Sequence, residues 1–556
     1  MGPSDDRLFS SETLNRGISR RRFLEGVGGA AALLSAADLL AACGTQSSSS
    51  TKNTLVIGAG ATPTGVDGEF DLSLEDLDSI YSAYDTLVEF PFVQSPSNPL
   101  VALPDFSKPS PGLAESWTVS PDGTSVTFKL RQGVKSAFGN ELTAKDLVWK
   151  FDRGCALAAV SSFFDAVMSY KCPAPGIATQ LDKYTVQITG MKPNALATSI
   201  WANPYLQVVD STEAQKHATA ADPWAKTWLT TQAGGFGPYY VTQWNAGQQI
   251  VWQANPHYWR SQPKIQKVIY KAIADSSSRS QLVTQGAVDI AMRLDPRQVV
   301  ALKSNQNVQV VNLPASWLMF IFLNVKRGPL ADQRVRQALN LVVPHQDILS
   351  QVYQGLATPL NGTQPDIYPW SVSFPTATTQ DFAGAKQLLA SANQAGGFTV
   401  SLLYNTAVAE EEAIAVLIKQ AFAQINVTVN LTPADATAFQ AKVVGRDFDM
   451  AFYKDQPIQP DPGYSNFMYF HTGSYVNYNN FSDSSADPLL EQGLTDLDPT
   501  ARKLALQDAQ SKIWQDFPWL FLARPGLQLV VHKNALSRIA WSPANNAGRW
   551  SEFSPA

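Results

Sequence analysis

At 556 residues the chain is too long for one hydrophobic core, and its length predicts two or three domains. Its 45% hydrophobic content, with 14 Trp, 17 Tyr and 27 Phe, suits well-packed globular domains that have aromatic surface to spare. Charged residues make up only 16% and the formal net charge is −5, with no basic face of the kind nucleic acid requires, so nucleic acid is excluded as a partner.

Residues 1–43 read as an address and not as fold. Ser19-Arg20-Arg21-Arg22-Phe23-Leu24 resembles the twin-arginine export motif, and Leu40-Ala41-Ala42-Cys43 resembles a lipobox. In that reading Cys43 becomes the lipidated first residue of the mature chain. The run between them, Gly26 to Ala42, has 17 residues with three glycines and Asp38. It falls short of the roughly 20 apolar residues a membrane span needs. Glu25, where a Lys is usual, and Asp38 leave twin-arginine and general export both open. Residues 44–53, with Ser47 to Ser50, read as a flexible tether.

Thr54 to Ile57 is the first buried strand. The glycines of Gly58-Ala59-Gly60-Ala61-Thr62-Pro63 suggest a dinucleotide fingerprint, but Pro63 stands where its third glycine belongs, so a loop at the rim of a cleft is expected. From Leu113 to Arg153 two strands bracket the turn Pro121-Asp122-Gly123, with Val126, Phe128 and Leu130 alternating with Thr127, Lys129 and Arg131. Thr143 then caps a helix whose third residue is Asp146, a relative of the capping box. Cys155 and Cys172 remain once Cys43 is lipidated; in an exported chain they either pair or stay as buried thiols.

Gly235-Phe236-Gly237-Pro238 reads as a tight corner, and Asn255-Pro256-His257-Tyr258-Trp259 as the aromatic end of a hairpin that serves packing. Trp317 to Asn324 is a fully apolar strand. Asp332 is expected to cap the following helix, with Arg336 as structural charge and Pro344 shortening or kinking it. From Phe382 onward helical patterns flank the strands Phe398–Leu403, Val427–Leu431 and Phe448–Phe452, the mark of an α/β lobe. Asp461-Pro462, a helix from Asp508 and the return strand Phe517–Phe521 follow.

Leu113, Ala114, Ser116, Trp117, Asp122, Gly123, Phe128, Leu130, Arg131, Gly133, Val134, Gly139, Leu142, Thr143, Ala144 and Asp146 together resemble the signature of the peptide/nickel class (family 5) of extracytoplasmic solute-binding proteins, the receptors of ABC importers. Pro329 to Leu339 and Asp461-Pro462 resemble further strings of that family, from which Val343-Pro344-His345-Gln346 departs. The resemblance implies an α/β fold of two lobes around a cleft, with an extra inserted domain. It assigns 54–93, 208–312 and 517–556 to lobe I, 94–207 to the insert and 313–516 to lobe II. It also implies a monomeric binding protein without cofactor, tethered by lipid to the outer face of the cytoplasmic membrane, that passes a small molecule or peptide to a permease with ATPase subunits. A lipoprotein that binds partners or signals without transport, and a hydrolase with a dispersed site, are the alternatives.

The chain carries no G-x-S-x-G elbow, no phosphate loop, and its five histidines lack metal-ligand spacing, so neither catalytic nor metal residues are assigned. In peptide-binding relatives an Asp three residues before the Asp-Pro landmark pairs with the peptide's α-ammonium. Here that position is Ile458, and Asp455 substitutes only if the loop Gln456 to Pro460 is rebuilt. Trp317, Phe320, Phe322, Phe452, Tyr453, Asp455, Ile458, Asp461 and Trp519 are therefore the expected ligand-binding set. With no clear ammonium anchor, the expected ligand is a neutral or apolar-faced solute, or a peptide held through its backbone. Strand alternation sends about half of these aromatic residues to the core instead.

Overall fold

The computed structural model describes residues 53–556 except Leu72, 160–176, 191–192, 376–378, Ile458 and Tyr475. The expected export signal, the tether apart from Asn53, Cys43 and Cys172 lie outside the described residues.

The first lobe is organised by a seven-stranded sheet in the order Tyr239–Asn245, Gln249–Ala254, Lys267–Ala272, Thr54–Ala59, Ile290–Met292, Leu527–His532, Val308–Leu313. Thr54–Ala59 sits in the middle, parallel to both neighbours. Leu55, Ile57 and Ala59 go to the main core of this lobe, while Gly58 lets Ile273 and Val288 close in on the other face. The second lobe has a six-stranded sheet: Ala357–Pro359, Trp519–Pro525, Leu318–Leu323, Met450–Asp455, Phe398–Asn405, Val427–Ala434. Its strand Leu318–Leu323 is buried at every residue because both faces are covered. Met319, Ile321 and Leu323 enter one core, and Leu318, Phe320 and Phe322 the other.

The inserted unit is a four-stranded sheet, Ala114–Val119, Ser125–Leu130, Thr185–Thr189, Ala178–Gln180, covered by the helix Ala144–Leu157. The expected capping box forms, with the Thr143 amide donating to Asp146 at 2.8 Å; Asp146 also accepts from Ser211, which ties the helix start to the next segment. Gly123 has φ 68°, as its turn requires. At the Gly-Pro corner, a Cβ on Gly237 would lie 2.1 Å from the Ala83 carbonyl, so only glycine lets the corner pass.

Two expected boundaries shift. Gln94 and Val101–Pro104, expected in the insert, instead form a sheet that runs through Phe92–Gln94, Val101–Pro104, Leu536–Ser542 and Ala547–Gly548. The segment 517–556 is divided: Trp519–Pro525 pairs with Leu318–Leu323 in the second lobe, and after Gly526 the strand Leu527–His532 enters the first. The apolar run of Trp519–Leu522 can be satisfied only inside a sheet covered on both faces, which the second lobe supplies. Asp332 caps Gln333–Leu341, and Arg336 pairs with Asp516 at 2.7 Å. The helix ends at Leu341, before Pro344.

Candidate functional site

A cavity of about 250 Å³ lies where the C-terminal end of the helix Leu74–Ala83, the segment Asp85–Phe92, Tyr258, Arg260 and the stretch Ser542–Glu552 meet Asn203 and the second-lobe residues Gln459 and Pro460. Its wall is built on charge pairs. Asp85 accepts from Arg549, from the Trp259 indole at 2.7 Å and from the Tyr258 hydroxyl at 3.5 Å. Arg549 also donates to the carbonyls of Tyr81 and Tyr84, the latter at 2.6 Å, placing a cation on the orphan carbonyls of a helix end. Glu89 pairs with Arg260 at 2.7 Å, and the Arg260 guanidinium lies 4.3 Å over Trp259.

Burial raises the Glu89 pKa, and Arg260 works against that rise. Burial likewise pushes the Tyr81 hydroxyl up to about 12, with Arg549 opposing and the carboxylates of Glu89 and Glu552 adding to the rise. Tyr81 therefore stays neutral at physiological pH. Aromatic faces complete the site: Phe90 meets Phe106 edge-on at 5.3 Å, and Phe106 meets Tyr368 of the second lobe at 5.9 Å. Aromatic faces beside a wall of fixed, mostly paired polar groups can hold and orient a small solute. Among the described residues no group of three or more His, Cys, Asp or Glu is arranged for a metal.

The expected ligand-binding residues lie elsewhere. Phe320, Phe322, Phe452 and Trp519 are fully buried in the second lobe, Phe320 stacked on Trp519 with ring centroids 3.7 Å apart. Tyr453 is half-buried, 5.0 Å from Phe322. Trp317 packs on the edge of the first-lobe core with the Lys454 ammonium 5.2 Å over its ring. Asp461 caps the helix Pro462–Phe470 and pairs with Arg502 at 2.5 Å. Asp455 is half-buried at the end of its strand, where it accepts from the Gln456 amide at 2.7 Å and from the Tyr469 hydroxyl. Burial raises its pKa to about 6, with those two hydrogen bonds opposing. Ile458 is outside the described residues. Among those described, none of the set lines the cavity.

Sequence reasoning missed Asp85, Glu89, Arg260 and Arg549. Only one signal pointed toward them: the Asn255–Trp259 motif, read as packing, places the indole of Trp259 on Asp85. Cys155 is disulfide-bonded.

A profile described as bacterial extracellular solute-binding proteins, family 5 Middle, matches residues 108–477. The glutathione-binding protein GsiB of Shigella flexneri is 26% identical over 438 residues, covering 76% of this chain and 82% of its own. The probable D,D-dipeptide-binding periplasmic protein DdpA of Escherichia coli is 26% identical over 488 residues, covering 87% and 90%. Among solved structures, DppA from Helicobacter pylori in complex with the peptide STSA superposes with a TM-score of 0.73 at 22% identity, over 90% of this chain and 98% of that one. NikA from Brucella suis in complex with Fe(III)-EDTA gives 0.77 at 19% identity, over 90% and 100%. These structures share the two-lobed fold, and the profile spans well over half of the sequence: the chain belongs to family 5 of the bacterial extracellular solute-binding proteins.

Proposed function

We propose that this protein is the lipid-anchored substrate-binding subunit of an ABC importer, that it captures a small solute of the peptide class in the cavity beside Asp85 and Arg549, and that it releases the solute chemically unchanged. The observation that carries this reading is the cavity itself, whose wall comes from the first lobe while Gln459 and Pro460 reach it from the second. A volume of about 250 Å³ lies just below the ~300–1,000 Å³ range typical of such sites and suits a small ligand. The arginines Arg260 and Arg549 are each paired with a carboxylate, which favours a neutral solute or a peptide held through its backbone. Asp455 is engaged by Tyr469 and Gln456, so it makes a poor ammonium anchor.

Native mass spectrometry of the exported protein identifies the bound solute, and incubation with that solute tests for turnover. Recovery of a cleaved product would replace the receptor reading with a hydrolase. Calorimetry with short peptides and their N-acetylated forms tests how the ligand is held; both forms are expected to bind alike. A second reading, a cationic solute, has one observation in its favour. Glu552 lines the cavity and, among the described residues, no arginine pairs with it. Loss of binding on acetylation together with loss in Glu552→Gln would establish it.

For the anchor, Cys43→Ala is expected to free the protein from membranes; a full-length chain that stays membrane-bound would make residues 26–42 the anchor instead. We also propose Cys172 as the partner of Cys155. Titration of the denatured, unreduced protein should then find no free thiol at either position.

A further inference from the structure

The end of the seven-stranded sheet at which the chain enters it is cationic. The Asn53 carbonyl accepts from the amides of Gln266 at 2.7 Å and Lys267 at 3.1 Å, which sets the start of Thr54–Ala59 beside that of Lys267–Ala272. The Lys264 ammonium donates to the Ser554 hydroxyl at 3.1 Å, and Ser554 is the register partner of Arg538. On the other side of Thr54–Ala59, the Lys533 amide donates to the Asn307 carbonyl at 2.8 Å, where Leu527–His532 ends and Val308–Leu313 begins. Lys303 closes the helix Pro296–Leu302 that leads into that last strand. Lys264, Lys303 and Lys533 are exposed, and Lys267 and Arg538 are half-buried. Among the described residues no carboxylate pairs with any of them. The segments 261–267, 301–309, 532–538 and 553–556 contain no Asp or Glu, and the carboxylate of Ala556 offsets one cation at most. Two nearby acids are committed elsewhere: Asp289 is buried and accepts from the Val56 amide at 2.8 Å, and Glu552 lines the cavity. The whole chain carries a formal charge of −5, so this end is opposite in sign to the molecule.

The opposite ends of these strands lead to the second lobe. Val308–Leu313 runs from the cationic end to Leu313, which pairs with Leu527 where both crossings between the lobes leave the sheet. The strands that bring in Lys267 and Lys533 are three places apart, roughly 14 Å, so the charges spread over a face and do not form a pocket. Residues 44–53 join Cys43 to this same end, and even fully extended these ten residues span at most about 35 Å. A charged face held that close to a lipid surface meets it repeatedly. Each lysine that reaches anionic headgroups strengthens binding about fivefold. We propose that this face docks on anionic phospholipid headgroups and parks the receptor with its second lobe turned away from the membrane. The inference takes its place at the membrane from the lipid-anchored reading of Cys43. Exposed ammonium groups make the docking reversible and salt-sensitive, so the tether, not the face, retains the protein. A receptor parked in this way must lift off before both of its lobes can meet a membrane protein.

The test uses the mature chain from residue 44 with a histidine tag at its start, held on vesicles by a nickel-chelating lipid. Docking is then read whatever Cys43 carries, and Cys43→Ala tests the lipid reading separately. Phosphatidylcholine vesicles are compared with mixed phosphatidylcholine–phosphatidylglycerol vesicles. Energy transfer to labelled headgroups is measured from a dye on Ser304→Cys, beside Lys303, and from a dye on Val444→Cys, which is exposed in the second lobe. Transfer from position 304 should rise on the mixed vesicles and fall back at about 1 M salt, where the screening length is ~3 Å. Transfer from position 444 should not rise. The variant Lys303→Glu, Lys533→Glu should lower the ratio of docked to free protein about thirtyfold or more and abolish the rise. Equal transfer on the two kinds of vesicle, a rise at both labels, or a rise that survives salt or the double variant overturns the inference. If the double variant fails to fold, the two labels and the salt series on the otherwise unaltered protein decide.

Discussion

Two shielded carboxylates, the buried Asp85 in the first lobe and the half-buried Asp455 in the second, show two different solutions to the same problem. Asp85 in the cavity wall is matched by a buried guanidinium, an indole N–H and a phenol. Asp455, at the end of a second-lobe strand, has only neutral donors, the Gln456 amide and the Tyr469 hydroxyl. A buried ion needs both countercharge and hydrogen bonds to stay charged without penalty. Asp85 has both. Asp455 has only hydrogen bonds, and its pKa climbs to about 6. The lesson is that an aspartate near a cleft is not by itself a ligand anchor, because its carboxylate oxygens can already be committed to partners inside the protein.

The contrast breaks most visibly at Asp85. Asp85→Ala leaves Arg549 buried without its counter-ion, and the expected loss is about 3–5 kcal/mol of folding stability, measured by urea unfolding. A loss below about 1 kcal/mol would mean that the helix-end carbonyls alone satisfy Arg549. For Asp455 the sign is opposite. Its pKa is near 3.8 unfolded and about 6 folded, so the folded state holds its proton more tightly. That favourable contribution is complete below pH 4 and is lost as pH rises through 6. Asp455→Asn keeps an acceptor for the Gln456 amide and offers a donor to the Tyr469 oxygen. The variant should therefore gain about 2 kcal/mol on wild type between pH 4 and pH 7, as the difference in unfolding midpoints. A difference independent of pH would show that Asp455 carries no penalty. The smallest effect is expected from Tyr469→Phe, roughly 1–2 kcal/mol at neutral pH, because one carboxylate oxygen is left without a donor. It should also move the Asp455 titration further upward, read from its carboxyl carbon by NMR; a downward move would reverse the assigned role of the hydroxyl.

The same pair explains what could be read from the sequence. Features with a local period were legible: the alternation in Ser125–Leu130, the Thr143–Asp146 cap, the turn at Gly123 and the helix start at Asp332. Asp455 was legible as unusual because its landmark, Asp461-Pro462, lies six residues away. Asp85 and Arg549 are 464 residues apart, and no spacing rule connects them. The aromatic strand misled for a different reason. In Leu318–Leu323 both faces are buried, so period-2 alternation no longer separates the side toward a cleft from the side toward a core. Phe320 and Phe322 read as available surface when they are the filling between sheet and helices.

The reach of Arg549 also sets a clock. The helix Leu74–Ala83 is made early, but its terminal carbonyls and Asp85 have no cation until residue 549 has been synthesised. At about 5–20 residues per second, the intervening 464 residues take roughly half a minute to a minute and a half. Throughout that interval the helix end is unsealed, and the strand Val101–Pro104 also lacks its late neighbour Leu536–Ser542. The wall of this cavity is thus completed only after residue 549 is made, and a chain cut short before that residue would lose the wall before it lost most of its secondary structure.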